Sequence, residues 1–206
     1  YKRQAKSVGI PLIIDNTMAT PFLCQPIQYG ADIVVHSTTK FLSGHGNAMG
    51  GAIVDSGTFD WAQNDKYPSL AQPEEAYHGL NFYESFGDLA YTTYGHAVGL
   101  RDLGPTMAPM NAYLTIMGIE TLALRMEKHV ANAEVVANYL HNHAKVSWVS
   151  YAGLEESNYF HLAKKYLPKG AGSVFTFGIK GGYGAGVEFV EKCPVSYTHL
   201  TLPTKE

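Results

Sequence analysis

Two short polar segments, each following an apolar run, carry the residue types in this chain that could do chemistry. Asp15 ends the run IPLIID, and Lys40 follows IVVH and three consecutive hydroxyl residues. A lysine amine can form a Schiff base, a carboxylate can pair with a protonated ring nitrogen, and hydroxyls can donate to a phosphate. These are the groups that pyridoxal 5'-phosphate (PLP) requires. The pattern therefore predicts a PLP site in which Lys40 is the covalent residue.

The hydroxyl residues before Lys40 could bind the cofactor's phosphate. Alternate residues of an extended chain project to the same side, so Ser37 and Thr39 could reach one anion. Each feature alone has an ordinary structural interpretation. A lone lysine is usually a surface residue, and Asp15 followed by Asn and Thr is common helix-cap and turn chemistry. Only the combination favours a cofactor site.

The apolar runs themselves predict the elements that position these residues. Residues 10–15 and 33–37 are too short and too β-branched for helices and predict buried strands, and residues 50–56 predict a third. Short connections between strands predict a mostly parallel sheet with flanking helices, an α/β fold. Such sheets bind ligands at the carboxyl ends of their strands, where Asp15 and Lys40 are expected. Pro26 limits the first connecting helix to one or two turns.

The rest of the chain divides into an irregular part and a periodic part. Residues 56–104 are rich in proline, tyrosine and glycine and predict a long loop or short helices. Apolar residues at three- and four-residue steps over 119–142 predict one long helix, of the kind that links domains. A strand over 146–151, a helix over 157–166 and an alternating strand over 173–180 then predict the beginning of a smaller α+β domain.

Composition excludes several classes of function. The chain has 206 residues, 46% of them hydrophobic and 16% charged, as in an ordinary globular protein. A net charge of −3 without a basic run argues against nucleic-acid binding. No apolar stretch approaches the roughly 20 residues that span a membrane. Cys24 and Cys193 are too few for a disulfide framework, so a reducing cytoplasm is expected.

Two glycine-rich segments resemble nucleotide-binding loops but depart from the pattern. SGHGNAMGG at 43–51 lacks the G-x-G-x-x-G spacing and leads into a strand, so its glycines are better explained by close backbone approach to a ligand. GGYGAG at 181–186 is followed by Val187 where the third glycine should stand. We expect no nucleotide site at either segment.

The histidines do not predict a metal site. His141 and His143 are two positions apart and would face different sides of a helix. His36 adjoins the predicted strand end, and His45 lies in the glycine-rich segment. Both could line the pocket, but a core histidine with its hydrogen bonds satisfied is an equal interpretation.

At this point the chain resembles a known family, the PLP-dependent enzymes of cysteine and methionine metabolism. The resemblance rests on DNT at 15–17, GADIVVHSTTKFLSGHG at 30–46 and GIETLALRMEKHVANA at 118–133, and it covers roughly residues 1–192. The family includes cystathionine γ-synthases and lyases, methionine γ-lyases and O-acetylhomoserine sulfhydrylases. YHGLNFYESFGDLAY at 77–91 resembles an insertion typical of the sulfhydrylase branch.

The resemblance implies a fold-type I, aminotransferase-like organisation. Residues 1–104 would be the C-terminal part of the large PLP-binding domain, 105–144 a helical segment with the long linking helix, and 145–192 the beginning of the small C-terminal domain. Residues 193–206, CPVSYTHLTLPTKE, have no counterpart in the family and are expected to be a non-native tail. The chain is accordingly expected to be a fragment that is inactive alone.

The resemblance also implies residue roles. Lys40 would hold PLP and move protons once released by substrate. Asp15 would pair with the ring nitrogen, Ser37 and Thr39 would donate to the phosphate, and Thr17 would lie against the ring. The implied reaction is γ-replacement on O-acetylhomoserine by sulfide or a thiol, giving homocysteine or methionine, in a homotetramer. No arginine matches the family's residue for the substrate carboxylate, because Arg101 and Arg125 fall in segments that read as structural.

Two alternatives remain open from the sequence. Within the family, the chain could come from a cystathionine γ-synthase or γ-lyase, or from a methionine γ-lyase. From another class, it could be a non-catalytic nucleotide-binding or interaction module with an incidental Ser-Thr-Thr-Lys at 37–40.

Overall fold

The computed structural model describes residues 1–193, and the chain divides into two compact units, Tyr1–Ile119 and Glu120–Glu206. Apart from Cys193, the tail predicted over 193–206 lies outside the described residues.

The first unit contains a three-stranded sheet in the order β1-β2-β3, with β1 at Ile13–Asp15, β2 at Ile33–Ser37 and β3 at Gly51–Asp55. β1 and β2 are parallel, whereas β2 and β3 are antiparallel. The predicted strands are present, but only β2 is buried as expected, whereas β1 is shorter than expected and exposes Ile13 and Asp15. The second pairing departs from a parallel sheet because the chain after Ser37 turns back at the same edge without crossing the sheet.

Short helices surround this sheet. The first connection contains α2 (Thr20–Leu23) and a 3₁₀ turn at Pro26–Tyr29, which confirms the expected interruption at Pro26. The other elements of the unit are α1 (Lys2–Ser7), a π-type turn (Thr38–Leu42), α3 (Pro68–Ala71), 3₁₀ turns at Glu75–Tyr77 and Gly87–Leu89, α4 (Phe82–Phe86), α5 (Ala90–Tyr94), a π-type helix (Gly95–Asp102) and α6 (Pro109–Glu120).

The segment over 56–104, which shows no periodicity, is ordered by aromatic packing. Trp61, Leu70, Phe82 and Ala90 are buried together with Ile33 of β2. The Trp61 ring also stacks on Tyr91, with centroids 5.2 Å apart. These contacts join residues far apart in sequence. The apolar residues of this region therefore do not recur at the regular spacing of a helix or a strand.

The second unit begins with the long helix. α7 spans Leu122–His141, and Thr121 separates it from α6. The predicted helix is therefore confirmed with a later start. Its apolar stripe is buried at Leu122, Met126, Val130, Ala133 and Ala137.

β4 (Val146–Ser150) and β5 (Thr176–Ile179) form an antiparallel pair, and α8 (Phe160–Tyr166) and α9 (Gly182–Lys192) are the other elements of this unit within the described residues. Its core joins Ala133 and Ala137 of α7 to Tyr151 and Leu154. None of the helices within residues 1–193 is both long enough and apolar enough to cross a membrane.

Candidate active site

The candidate residues gather at one edge of the three-stranded sheet. Asp15 is the last residue of β1 and pairs in register with Val35, two residues before Ser37 ends β2. Because the two strands are parallel neighbours, about 4.8 Å apart, their carboxyl ends lie at the same edge of the sheet. The structure thus brings Asp15 beside the segment that leads to Lys40, as the sequence predicts.

Thr17 joins the two strand ends. It is buried, its Oγ1 accepts a hydrogen bond of 2.8 Å from the Ser37 backbone N–H, and its own N–H donates to Asp15 Oδ1 at 2.9 Å. Hydrogen bonds from the Thr17 hydroxyl and N–H, with a smaller contribution from His36, lower the pKa of Asp15. Asp15 is exposed and is therefore ionised near neutral pH. The sequence does not predict that Thr17 bridges the two strand ends. Its position two residues after Asp15 is the only signal for this role.

Asn16 and α2 fix the chain that leaves β1. The Asn16 N–H donates to Val35 O, and its Nδ2 donates to Cys24 O, both at 2.9 Å. Thr20 is fully buried at a φ of 60°, and its N–H donates to Asn16 O at 2.8 Å. These bonds keep the turn after Asp15 close against β2.

Lys40 lies inside the π-type turn Thr38–Leu42. Its φ of −89° and ψ of −122° interrupt the helical path of that turn. Hydrogen bonds to Lys40 O from Gly44 N–H (2.8 Å) and to Thr38 O from Ser43 N–H (3.0 Å) hold the backbone. The Lys40 side chain itself is exposed. The turn therefore holds the Lys40 backbone in place while the long side chain and its amine extend into solvent.

Gly50, at the start of the returning chain, organises the hydroxyl residues. Thr39 Oγ1 accepts a hydrogen bond from Gly50 N–H at 3.1 Å, and Thr38 N–H donates to Gly50 O at 3.0 Å. Thr39 Oγ1 also donates to Gly50 O at 3.4 Å, so both of its hydrogen bonds hold it against Gly50. Ser37 is half-buried, and Thr38 Oγ1 is buried without a partner among the described residues.

His36 is a buried histidine beside this edge. Burial lowers its pKa, against the opposing effect of Asp15, so the imidazole is neutral near pH 7. Its Nδ1 has no partner among residues 1–193. His45, by contrast, is exposed, and its Nδ1 lies 2.6 Å from Ser43 O in the glycine-rich segment. His36 is therefore buried at the site, and His45 belongs to the loop beyond it.

Arg101 makes a structural contact with Asp102 and Tyr77. Its Nε donates to Asp102 Oδ1 at 2.9 Å and its guanidinium lies over the Tyr77 ring, 5.4 Å from the centroid. Tyr77 OH in turn donates to Asp102 Oδ2 at 2.5 Å. Arg101 and Asp102 are exposed and Tyr77 is half-buried, and their contacts anchor the start of the 77–91 segment to the π-type helix that ends at Asp102.

The residues present fit PLP. An ionised carboxylate, hydroxyl groups and an exposed lysine share one sheet edge, which is the donor set that the ring nitrogen, phosphate and aldehyde of the cofactor need. The Thr38 hydroxyl is a further polar group at this edge, and it is buried without a hydrogen-bond partner among the described residues.

Comparison with known proteins agrees with this chemistry. The family model described as "Cys/Met metabolism PLP-dependent enzyme" matches residues 2–202, and so includes part of the segment predicted as a tail. The chain is 46% identical over 196 residues to an O-acetyl-L-homoserine sulfhydrylase of Leptospira meyeri, covering 91% of this chain and 44% of the relative. It is 51% identical over 180 residues to a homocysteine synthase of Schizosaccharomyces pombe, covering 86% and 42%.

Solved structures give the same result. The first is an O-acetylhomoserine (thiol)-lyase of Campylobacter jejuni that carries a pyridoxyl-lysine monophosphate. It superposes with a TM-score of 0.82 and 41% identity, covering 87% of this chain and 45% of that one. The second, a cystathionine γ-synthase of Xanthomonas oryzae, has a TM-score of 0.69 and 33% identity, covering 92% and 41%.

The chain spans less than half the length of these relatives. The superpositions confirm the fold-type I architecture. On the family match and these identities, the chain belongs to the PLP-dependent enzymes of cysteine and methionine metabolism.

Proposed function

We propose that the protein to which this chain belongs is a PLP-dependent O-acetylhomoserine sulfhydrylase, and that Asp15, Thr17, Ser37, Thr39 and Lys40 are this chain's part of its site. The observation that carries the proposal is the ionised Asp15, linked through Thr17 to the strand that leads to Lys40. Relatives named for this activity, at 42–46% identity, support the substrate class.

PLP, when bound, supplies an electron sink for charge that develops at the substrate's α-carbon. Asp15 would hold a proton on the ring nitrogen, and Thr17 orients that carboxylate through its N–H. Ser37 and Thr39 donate to the phosphate. Gly50 holds Thr39 Oγ1 in place, because this oxygen accepts from Gly50 N–H at 3.1 Å and donates to Gly50 O at 3.4 Å. The longer second bond is the one that the phosphate would replace.

Lys40 would hold the cofactor through its side-chain amine and would move protons at the substrate. In the proposed reaction the carbon–oxygen bond at the γ-carbon breaks, acetate leaves, and the sulfur of sulfide or a thiol bonds to the same carbon. Homocysteine or methionine is the product. The cystathionine γ-synthase alternative rests on a more distant solved structure, 33% identical compared with 41%.

Assembly and location complete the proposal. Small-molecule partners follow from the reaction, and a homotetramer is proposed from the family resemblance. The free thiols of Cys24 and Cys193 support a reducing compartment such as the cytoplasm.

The test is covalent trapping on the full-length enzyme. PLP followed by borohydride should label Lys40, located by peptide mapping, and Lys40→Ala should lose the label and at least about 10³-fold in turnover. The matched control is Lys6→Ala, an exposed lysine on α1 that should change neither.

Label elsewhere, or none, would favour the non-catalytic module and end the proposal. A second assay separates the family members. Homocysteine formed from O-acetylhomoserine and sulfide indicates replacement, whereas ketoacid and ammonia indicate elimination.

A further inference from the structure

One face of α6 packs against the loop that carries Lys40. Met107, Asn111, Thr115 and Gly118 recur at steps of four, four and three residues, the spacing of one helix face, with Met107 just before the first turn. Thr115 and Gly118 are buried, while Ile116 and Met117 between them are exposed. The face that packs is thus the one that includes Gly118.

Gly118 allows the closest of these contacts. A Cβ at this position would lie 2.1 Å from Ser43 O and 2.6 Å from Leu42 O. Both atoms are backbone carbonyls, which cannot swing aside as a flexible side chain can. Leu42 and Ser43 lie two and three residues after Lys40, so the helix backbone contacts the chain within three residues of the lysine.

The same face holds the far end of the loop. Asn111 Nδ2 donates to Met49 O at 2.9 Å. Met107 packs at Gly50, where a Cβ would lie 2.4 Å from Met107 Cε. Gly50 is the residue that hydrogen-bonds Thr38 and Thr39. The helix therefore grips the loop at both ends, near residue 42 and near residue 50.

We propose that α6 is the element that positions Lys40, and that Gly118 is its positioning residue. Gly118 acts by letting the helix backbone press on Leu42 and Ser43, which fixes the direction in which the Lys40 side chain leaves the turn. The inference rests on the proposed function, since it concerns the lysine of that site.

The experiment compares Gly118→Ala with Gly99→Ala in the full-length enzyme. Gly99 lies in the π-type helix with a negative φ and no atom within 4 Å of a built Cβ, so its change introduces the same methyl group into open space. We expect Gly118→Ala to slow borohydride trapping at Lys40 about 10-fold and to shift the pH midpoint of the Schiff-base absorbance. Gly99→Ala should match the wild type in both.

A second variant covers the case in which Gly118→Ala does not fold. Asn111→Ala removes only the hydrogen bond to Met49 O and should slow trapping in the same direction by about 2- to 5-fold. Gly170→Ala is a control for lost stability, because a Cβ at this position in the second unit would lie 2.3 Å from Val130 Cγ1. Its trapping rate should remain that of the wild type at temperatures where the variant is folded.

The outcomes are distinct. If folded Gly118→Ala, or Asn111→Ala where the former does not fold, traps at the wild-type rate and pH midpoint, the positioning role is wrong. If Gly170→Ala slows trapping as much, the effect reflects lost stability and the inference fails as well. If the wild type itself gives no label at Lys40, the proposed function fails instead.

Discussion

At the scale of single residues, Thr17 lies between the two strand ends of the candidate site and bonds to both. Its hydroxyl accepts from Ser37 N–H and stabilises the Asp15 carboxylate, so one small side chain links the end of β2 to Asp15 and lowers the pKa of that carboxyl group. A threonine suits the position because a hydroxyl can accept one hydrogen bond and donate another.

Thr17→Val tests this link. The valine keeps the shape but leaves the Ser37 N–H without its acceptor, which should cost about 1–3 kcal/mol of unfolding free energy in urea at pH 7. Thr17→Ser, which keeps the hydroxyl, is the matched control and should lose less. Equal stability of the two variants would contradict the bridging role.

The same variant carries a pH dependence. The pKa of Asp15 is lowered in the fold, so ionisation contributes stability above its ordinary pKa of 3.8, and this is lost as the pH falls through the lower folded value. Thr17→Val should return the pKa toward 3.8. Thr17→Val loses part of its unfolding free energy, relative to the wild type, through the Asp15 carboxylate. This part of the loss should therefore become smaller in acid, where Asp15 is protonated in both proteins.

The pKa of Asp55, at the end of β3, is shifted in the opposite direction to that of Asp15. Burial of its carboxyl group, with smaller contributions from Asp32 and Asp88, raises its pKa, while the Gly57 N–H, 3.2 Å from Oδ1, lowers it. The folded pKa lies above the unfolded one, so the wild type loses stability as the pH rises from about 3.8 through the folded value.

Asp55→Asn should remove this loss. We expect a gain of roughly 0.5 kcal/mol at pH 7, the order measured for partly exposed charge interactions, that disappears below pH 3.8. Asp65→Asn, on an exposed carboxyl, is the control for loss of one negative charge. A gain that persists in acid would show that charge is not the cause.

At the scale of elements, the second unit depends on how the chain between α8 and β5 passes the long helix. Gly170 has a φ of +124°, and a Cβ there would lie 2.3 Å from Val130 Cγ1 on α7. Gly172 has a φ of +88° and no atom within 4 Å. The two glycines share a backbone that disfavours side chains but differ in free space.

Alanine at each position separates the two effects. Gly172→Ala should cost about 1–2 kcal/mol for the left-handed backbone alone. Gly170→Ala should cost about 2–5 kcal/mol, because overpacking against α7 adds to that penalty. Urea unfolding followed by the fluorescence of Trp148, which lies in this unit on β4, is the measurement. Equal costs would mean that Val130 moves aside freely.

At the scale of the whole chain, β3 presents an exposed apolar edge. Among the described residues it pairs only with β2, and Ile53 and Val54 are 59% and 43% exposed. An exposed strand of this kind is a template for pairing with another chain. We expect the 206-residue chain alone to associate at micromolar concentration.

Ile53→Lys should reduce that association, since a charged side chain discourages edge pairing. Leu89→Lys is the matched control, because Leu89 is similarly exposed, at 64%, but lies on a 3₁₀ turn and not on a strand. Light scattering after gel filtration measures both. If Leu89→Lys lowers the associated mass as much, general charge and not the strand edge is responsible.

The strands, the long helix and the position of Asp15 at a strand end could be predicted because each is encoded locally. The apolar runs before Asp15 and Ser37 need only neighbouring residues to specify strands, and the stripe from Leu122 to Ala137 likewise specifies a helix. The roles proposed for Asp15 and Lys40 follow from residue type at a strand end. The order of the region over 56–104 could not be predicted, because distant aromatic contacts create it.

The sequence by itself thus determined the family, the strand ends and the polar residues that follow them. Only the tertiary structure decided that β3 runs antiparallel, that Thr17 ties Asp15 to Ser37, and that Gly118 presses α6 onto the lysine loop. The physical reason is that these three features are contacts between segments far apart along the chain. Local periodicity and residue type carry no record of which distant backbone atoms will meet.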